Sequence, residues 1–164
     1  MTSGTDLPVL PETSLTADVL DAIRRHGAET YPHECCGALI ADGSFVIDAF
    51  RLPNTTSEGA ARRFRVGPDD YRSAGKRARE VGGTLVGFYH SHPDAPARPS
   101  AYDLEHAWPN LIYVILSIDS ERTGDLTAWS LRDDRSRFEP VEIRRGELDA
   151  NHNFDSHTPA ALHE

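Results

Sequence analysis

Cysteine is almost missing from this chain, with two residues in 164, and the pair is adjacent at Cys35 and Cys36. Neighbouring cysteines do not easily adopt disulfide geometry, and two are too few for a secreted disulfide scaffold. There is no CxxC pair either, so a structural zinc–thiolate site is unsupported. Long apolar stretches are also lacking. The longest, Leu111 to Leu116, is far too short to span a bilayer. Met1 to Asp6 does not show the basic-then-apolar layout of a secretory signal. Together these features lead us to expect a cytoplasmic protein that does not enter membranes.

Basic residues are in the minority. Lys and Arg number 17 against 26 Asp and Glu, a formal net charge of −9. That balance argues against nucleic acid, whose phosphates need a basic face. One local exception is the run Arg62, Arg63, Arg65, Arg72, Lys76, Arg77 and Arg79. It reads either as a solvated helix face or as a docking patch for an acidic protein partner.

What remains is an ordinary globular composition, 38% hydrophobic and 26% charged, at a length suited to one domain. Residues 1–12 read as a flexible lead-in, 13–146 as the domain and 147–164 as a disordered tail. Thr16 suits the N-cap of a first helix that Gly27 would stop. Cys36–Ile40 and Ser44–Phe50 read as strands around a tight turn. Asn54–Ala61 reads as a polar loop and Arg63–Val66 as a short strand. Pro68 opens a second helix, with Tyr71, Ala74, Ala78 and Val81 at helical spacing and Gly82–Gly83 as its end. Thr84–His92 is a predicted strand, Ser100–Trp108 a short helix, and Leu111–Ile118 a central strand covered on both faces. Leu126–Leu131 and Phe138–Ile143 add two strands. The mixture gives an α/β domain on a single sheet.

The chemistry lies between Gly87 and Asp103, which includes His90-Ser-His92 and ends Ser100-Ala-Tyr-Asp103. Side chains two apart on a strand share a face, so two imidazoles can converge on one ion. Ser100 and Asp103 fall on the first turn of a helix, where Asp103 could add a carboxylate. Two imidazoles and one carboxylate leave a position open for water, the arrangement of a catalytic zinc site rather than a structural one. Neutral imidazole suits zinc better than magnesium. Each half has a plainer reading, a capping pair for Ser100 and Asp103 and a surface pair for the histidines. Together they are harder to explain away, because two imidazoles ending an apolar strand need partners for their nitrogens.

This pattern, His-x-His, seven residues, Ser, two residues, Asp, resembles the JAMM motif of the MPN-domain zinc metallopeptidases. Their upstream glutamate matches Glu34 in Pro32-His-Glu-Cys-Cys-Gly37, and the likeness runs from about Leu15 to Ile143. The resemblance implies a cytidine-deaminase-like α/β/α sandwich around a mixed sheet. It implies one zinc ion per chain on His90, His92 and Asp103, Glu34 as general acid/base of the activated water, and Ser100 as the oxyanion donor. Compactness makes the chain similar to small bacterial-type members associated with ubiquitin-like sulfur-carrier proteins. The implied reaction is hydrolysis of a peptide or amide bond after the carrier's C-terminal glycines, as in carrier-dependent cysteine synthesis. A zinc-retaining assembly module with little turnover is the alternative, and a homodimer is one assembly the sequence permits. Zinc deaminases and helical zincins fit poorly, since Pro-Cys-x-x-Cys and His-Glu-x-x-His are both absent. His33 reads as a loop residue and His106 as an exposed helix position. Trp108 and Trp129 read as core aromatics, and a thiol nucleophile at Cys35 or Cys36 is disfavoured.

Overall fold

The computed structural model describes residues 12–54 and 66–146. Seven strands and three helices follow in the order β1 (Glu12–Thr16), α1 (Ala17–Thr30), β2 (Cys36–Asp42), β3 (Phe45–Leu52), α2 (Pro68–Glu80), β4 (Thr84–Pro93), α3 (Ala101–His106), β5 (Ile112–Ile118), β6 (Thr123–Leu131) and β7 (Phe138–Gly146). They form one mixed sheet in the order β1-β3-β2-β4-β5-β6-β7. β1 is parallel to both β3 and β7, which closes the sheet on itself. β4 and β5 are also parallel, while β4 runs antiparallel to β2. No helix among the described residues is long and apolar enough to cross a membrane.

Strand alternation sends side chains to two cores. One face gathers Leu39, Tyr89, Val114 and Leu116 against Val19 and Ile23 of α1. The other gathers Cys36, Ala38, Phe88 and Tyr113 against Ala74 of α2 and Ala107 beyond α3. Helices thus pack on both faces of the mixed sheet. α1 begins as expected, with the Thr16 hydroxyl accepting from Val19 N at 3.3 Å. It does not stop at Gly27 but continues to Thr30. A Cβ at Gly27 would lie 2.6 Å from Leu116 Cδ2, so this glycine serves close packing of α1 on β5 rather than termination. α2 is capped by Asp70, whose Oδ2 accepts from Gly67 N at 3.0 Å.

Several expectations need correction. Residues 12–16 form a strand pairing on both sides, with Glu12 already in β1. Trp108 is no core residue: it is 41% exposed and stacks on Tyr71, itself 39% exposed, with ring centroids 5.2 Å apart. Tyr71 therefore leaves the apolar stripe of α2, whose buried positions are Ala74 and Ala78. Trp129 and His106 are half-buried. The predicted strand at 63–66 apart from Val66, which is buried and not in a strand, most of the 54–61 loop, the 1–12 lead-in apart from Glu12, the 147–164 tail, and Arg62, Arg63 and Arg65 lie outside the described residues.

Candidate metal centre

β4 carries His90 and His92 on the face that α2 covers, two residues apart as the pleat requires. Both are buried, at 3% and 7% exposure. Their Nε2 atoms stand 3.0 Å apart. Asp103 Oδ2 lies 3.2 Å from His92 Nε2, and Oδ1 lies 3.3 Å from His90 Nε2. These three side chains form a group whose ligand atoms all fall within 4.8 Å of one another. Four ligands at about 2.0–2.1 Å from a tetrahedral ion would stand roughly 3.3 Å apart, so the residues present fit such an ion.

His92 and Asp103 are oriented from behind. His92 Nδ1 faces Pro96 O at 2.9 Å, and a carbonyl accepts only from N–H, so Nε2 keeps its lone pair for the centre. Asp103 is held by a reciprocal cap. Ser100 N donates to its Oδ2 at 2.8 Å, and Asp103 N donates to Ser100 Oγ at 3.1 Å. The capping reading and the ligand reading of Ser100-x-x-Asp103 are therefore compatible, because the cap aims the carboxylate at the histidines. Burial pushes Asp103 upward, but the His90 and His92 imidazoles and the Ser100 N–H overcome it and hold the carboxyl far below its ordinary range. For His92, burial opposes the charge, yet Asp103 and the Pro96 carbonyl raise its pKa on balance.

Glu34 reaches the same place from β2's leading end. The β2–β4 register pairs Cys36 with His90. Continued two residues back, it sets Glu34 across from His92 on the same face. Ser91, fully buried between the histidines, points the other way and fixes this register. Its Oγ accepts from Cys35 N at 2.9 Å, and its own N–H donates to Cys35 O at 3.1 Å. Asn54 Nδ2 also donates to Glu34 O at 3.1 Å. Glu34 is 3% exposed, and its Oε2 finds no hydrogen-bond partner among the described residues. Burial lifts its pKa from 4.5 to about 7, against the pull of the two histidines.

A cleft lined by Pro32, Glu34, His92, Pro93, Asp94 and Ser100 opens onto these groups. Ser100 is exposed there. Its hydroxyl accepts the cap bond, which leaves the O–H proton available to a bound molecule. Cys35 and Cys36 lie buried, and burial raises both thiols, Cys35 to about 11, so neither is a thiolate nucleophile near neutrality. His33 is an exposed loop residue, and His106 turns back to the Tyr102 carbonyl at 2.9 Å. Ser91 is the site residue that sequence reasoning missed, since only the β2–β4 pairing reveals its bond to Cys35. Replacing it by alanine leaves a buried N–H unpaired, worth about 1–3 kcal/mol of stability. The Ser91→Ala variant is expected to bind metal normally but to lose turnover, read by metal analysis beside initial rates.

Comparison with known proteins is consistent with this geometry. The profile of prokaryotic homologs of the JAB domain matches residues 16–132. The chain is 36% identical to a desampylase of Haloferax volcanii, over 68% of this chain and 84% of that one. It is 25% identical to a CysO-cysteine peptidase of Mycobacterium tuberculosis, over 79% and 89%. A probable metalloprotease of Haloferax volcanii is 30% identical over 62% and 63%. Among solved structures, a JAB1/MPN domain protein from Archaeoglobus fulgidus superposes with a TM-score of 0.51, covering 81% of this chain and all of that one at 17% identity, a likeness of fold. The chain belongs to the prokaryotic JAB-domain family.

Proposed function

We propose that this protein is a zinc-dependent peptidase that cuts the amide bond following the C-terminal glycines of a ubiquitin-like or sulfur-carrier protein. The observation that carries the reading is the convergence of His90, His92 and Asp103 in an open cleft beside the buried Glu34 carboxylate, one oxygen of which has no partner among the described residues. The relatives named for a desampylase and a CysO-cysteine peptidase supply the substrate class.

His90, His92 and Asp103 would hold one zinc ion, the metal that suits two imidazoles and a carboxylate. The bound ion supplies Lewis acidity, which eases ionisation of water and polarises the scissile carbonyl. Glu34 takes the proton from the attacking water and returns it to the departing amine. A pKa of about 7 suits it to both transfers at neutral pH. Ser100 donates its hydroxyl proton to the carbonyl oxygen as charge gathers there, a contact commonly worth about 10²–10³ in rate. Pro32 and Pro93 form apolar walls of the cleft and admit an extended, small-residue tail.

The carrier's folded body would rest on α2. Arg72 and Lys76 project into solvent there, each with 75% of its side chain exposed. Tyr71 and Trp108 add an apolar centre beside them. Arg72 and Lys76 both pair with acids of their own helix, Arg72 with Asp69 and Lys76 with Glu80, whereas Arg77 is less exposed, at 38% of its side chain, and is tied to Asp48 on β3 at 2.9 Å. Trp108→Ala and the charge reversals Arg72→Glu and Lys76→Glu are expected to raise KM for a carrier substrate several-fold. Turnover of a short glycine-ended peptide amide should stay unchanged. Equal KM for all variants would remove α2 from the docking surface.

The proposal as a whole is tested by stripping the protein with a chelator. Cleavage of a carrier fusion should cease and return with one equivalent of zinc. Fully metal-loaded protein inert toward every carrier fusion would favour the assembly-module alternative.

A further inference from the structure

The loop between β4 and α3 carries His92's orienting carbonyl, yet it contains few means of holding itself. Pro96 and Pro99 have no N–H, and the segment between Asp94 and Ser100 has no ladder partner among the described residues. Its inner contacts are few. Asp94 N donates to Ile118 O at 2.7 Å and Arg98 N to Pro96 O at 2.8 Å. A further anchor comes from β6, 30 residues on in sequence: Thr127 Oγ1 donates to Ala97 O at 2.6 Å. Trp129 Nε1 in turn donates to Thr127 Oγ1 at 2.9 Å. Thr127 and Trp129 stand two apart on β6 and so share a face. A hydroxyl has one proton to give. With the Trp129 indole occupying its acceptor side, that proton is committed to Ala97, and the two bonds polarise one another. Ala97 is 5% exposed, so its carbonyl has little access to water as a substitute. The peptide beside it is Pro96–Ala97, whose carbonyl O accepts from His92 Nδ1.

We propose that Thr127 and Trp129 are positioning residues for the metal centre: the chain Trp129–Thr127–Ala97 fixes the Pro96 carbonyl, which sets the orientation of His92. The inference rests on His90, His92 and Asp103 being a metal site, and adds to it two residues that touch neither metal nor substrate. It accounts for a polar threonine and an indole N–H turned toward a proline loop on a strand that otherwise pairs with its neighbours.

The test compares Thr127→Val, which keeps the shape and loses the hydroxyl, with Thr127→Ser, which keeps the hydroxyl. Zinc affinity is measured by competition with a chromophoric chelator. Cobalt-substituted protein supplies the ligand-field spectrum, and urea unfolding of the metal-free proteins measures stability separately. Partners behind metal ligands commonly govern about 10–100-fold in metal affinity, and this anchor stands one bond further out. Thr127→Val is expected to weaken zinc binding about tenfold and alter the cobalt spectrum, while Thr127→Ser stays within about twofold of wild type. Trp129→Phe, which removes the indole N–H together with part of the ring, should fall between and carries the test if the valine variant does not fold. Equal zinc affinity in wild type, Thr127→Val and Trp129→Phe would overturn the inference while leaving the metal site intact. Equal losses in the valine and serine variants would overturn it too, by assigning the effect to packing. Wild-type protein that binds no ion would overturn the metal site itself, and the inference with it.

Discussion

Replacing Glu34 by glutamine is expected to cut turnover by about 10²–10⁴ while leaving metal content unchanged, because a positioned acid/base commonly supplies that factor. The same change should act on stability in a pH-dependent way. In the folded, metal-free protein, burial lifts Glu34 from 4.5 to about 7. The folded state therefore holds its proton more tightly than the unfolded chain, and ionisation is penalised only in the fold. The favourable contribution is fully present below pH 4.5 and is lost as pH rises through about 7. At 1.36 kcal/mol per pH unit the loss is on the order of 3 kcal/mol. Urea unfolding of metal-free wild type and Glu34→Gln should show a stability difference that shifts in the variant's favour between pH 4.5 and 7 and is flat outside that window. A group that costs stability at working pH and is needed for turnover is the pattern expected of a catalytic carboxylate rather than a structural one. A constant difference across that range would mean that Glu34 ionises as freely in the fold as outside it.

The second large effect concerns Asp103, which caps α3 and, on the proposed reading, also binds the metal. Both Asp103→Ala and Asp103→Asn remove the anionic ligand, so both should lose zinc at micromolar concentrations and fall to background activity. They should part on stability. The amide oxygen of the asparagine variant can still accept from Ser100 N, whereas alanine leaves that cap unmade, at a cost of about 0.5–2 kcal/mol. Metal analysis beside chemical unfolding of the metal-free variants separates the two roles. If the asparagine variant kept full metal content, the carboxylate would be a cap only.

The grouping of His90, His92 and Asp103 was legible because its parts obey local rules. His90 and His92 share a face by strand parity, and Ser100 is a helix N-cap that orients Asp103 within one turn. Glu34 needed the family likeness, since only the Cys36–His90 register joins its segment to β4. What stayed hidden depends on contacts far apart in the chain. Glu12–Thr16 has a weak strand pattern and acquires its state from β3 and β7 on either side. Gly27 looks like a helix stop until Leu116 is seen against it. Trp108 and Tyr71 suggest core by residue type, yet they stack on the surface. The Thr127–Trp129 anchor joins β6 to a proline loop with no sequence pattern to announce it.

Intact-mass analysis of a cleavage reaction tests the central claim most directly. Zinc-loaded protein is incubated with a sulfur-carrier protein extended past its terminal glycines by cysteine or a short peptide. Metal-stripped protein and Glu34→Gln run in parallel. The account predicts a single mass loss equal to the extension, a cut after the last glycine, in the zinc-loaded wild type alone. A carrier left intact by fully loaded wild-type protein, or one cut equally by Glu34→Gln, would contradict it.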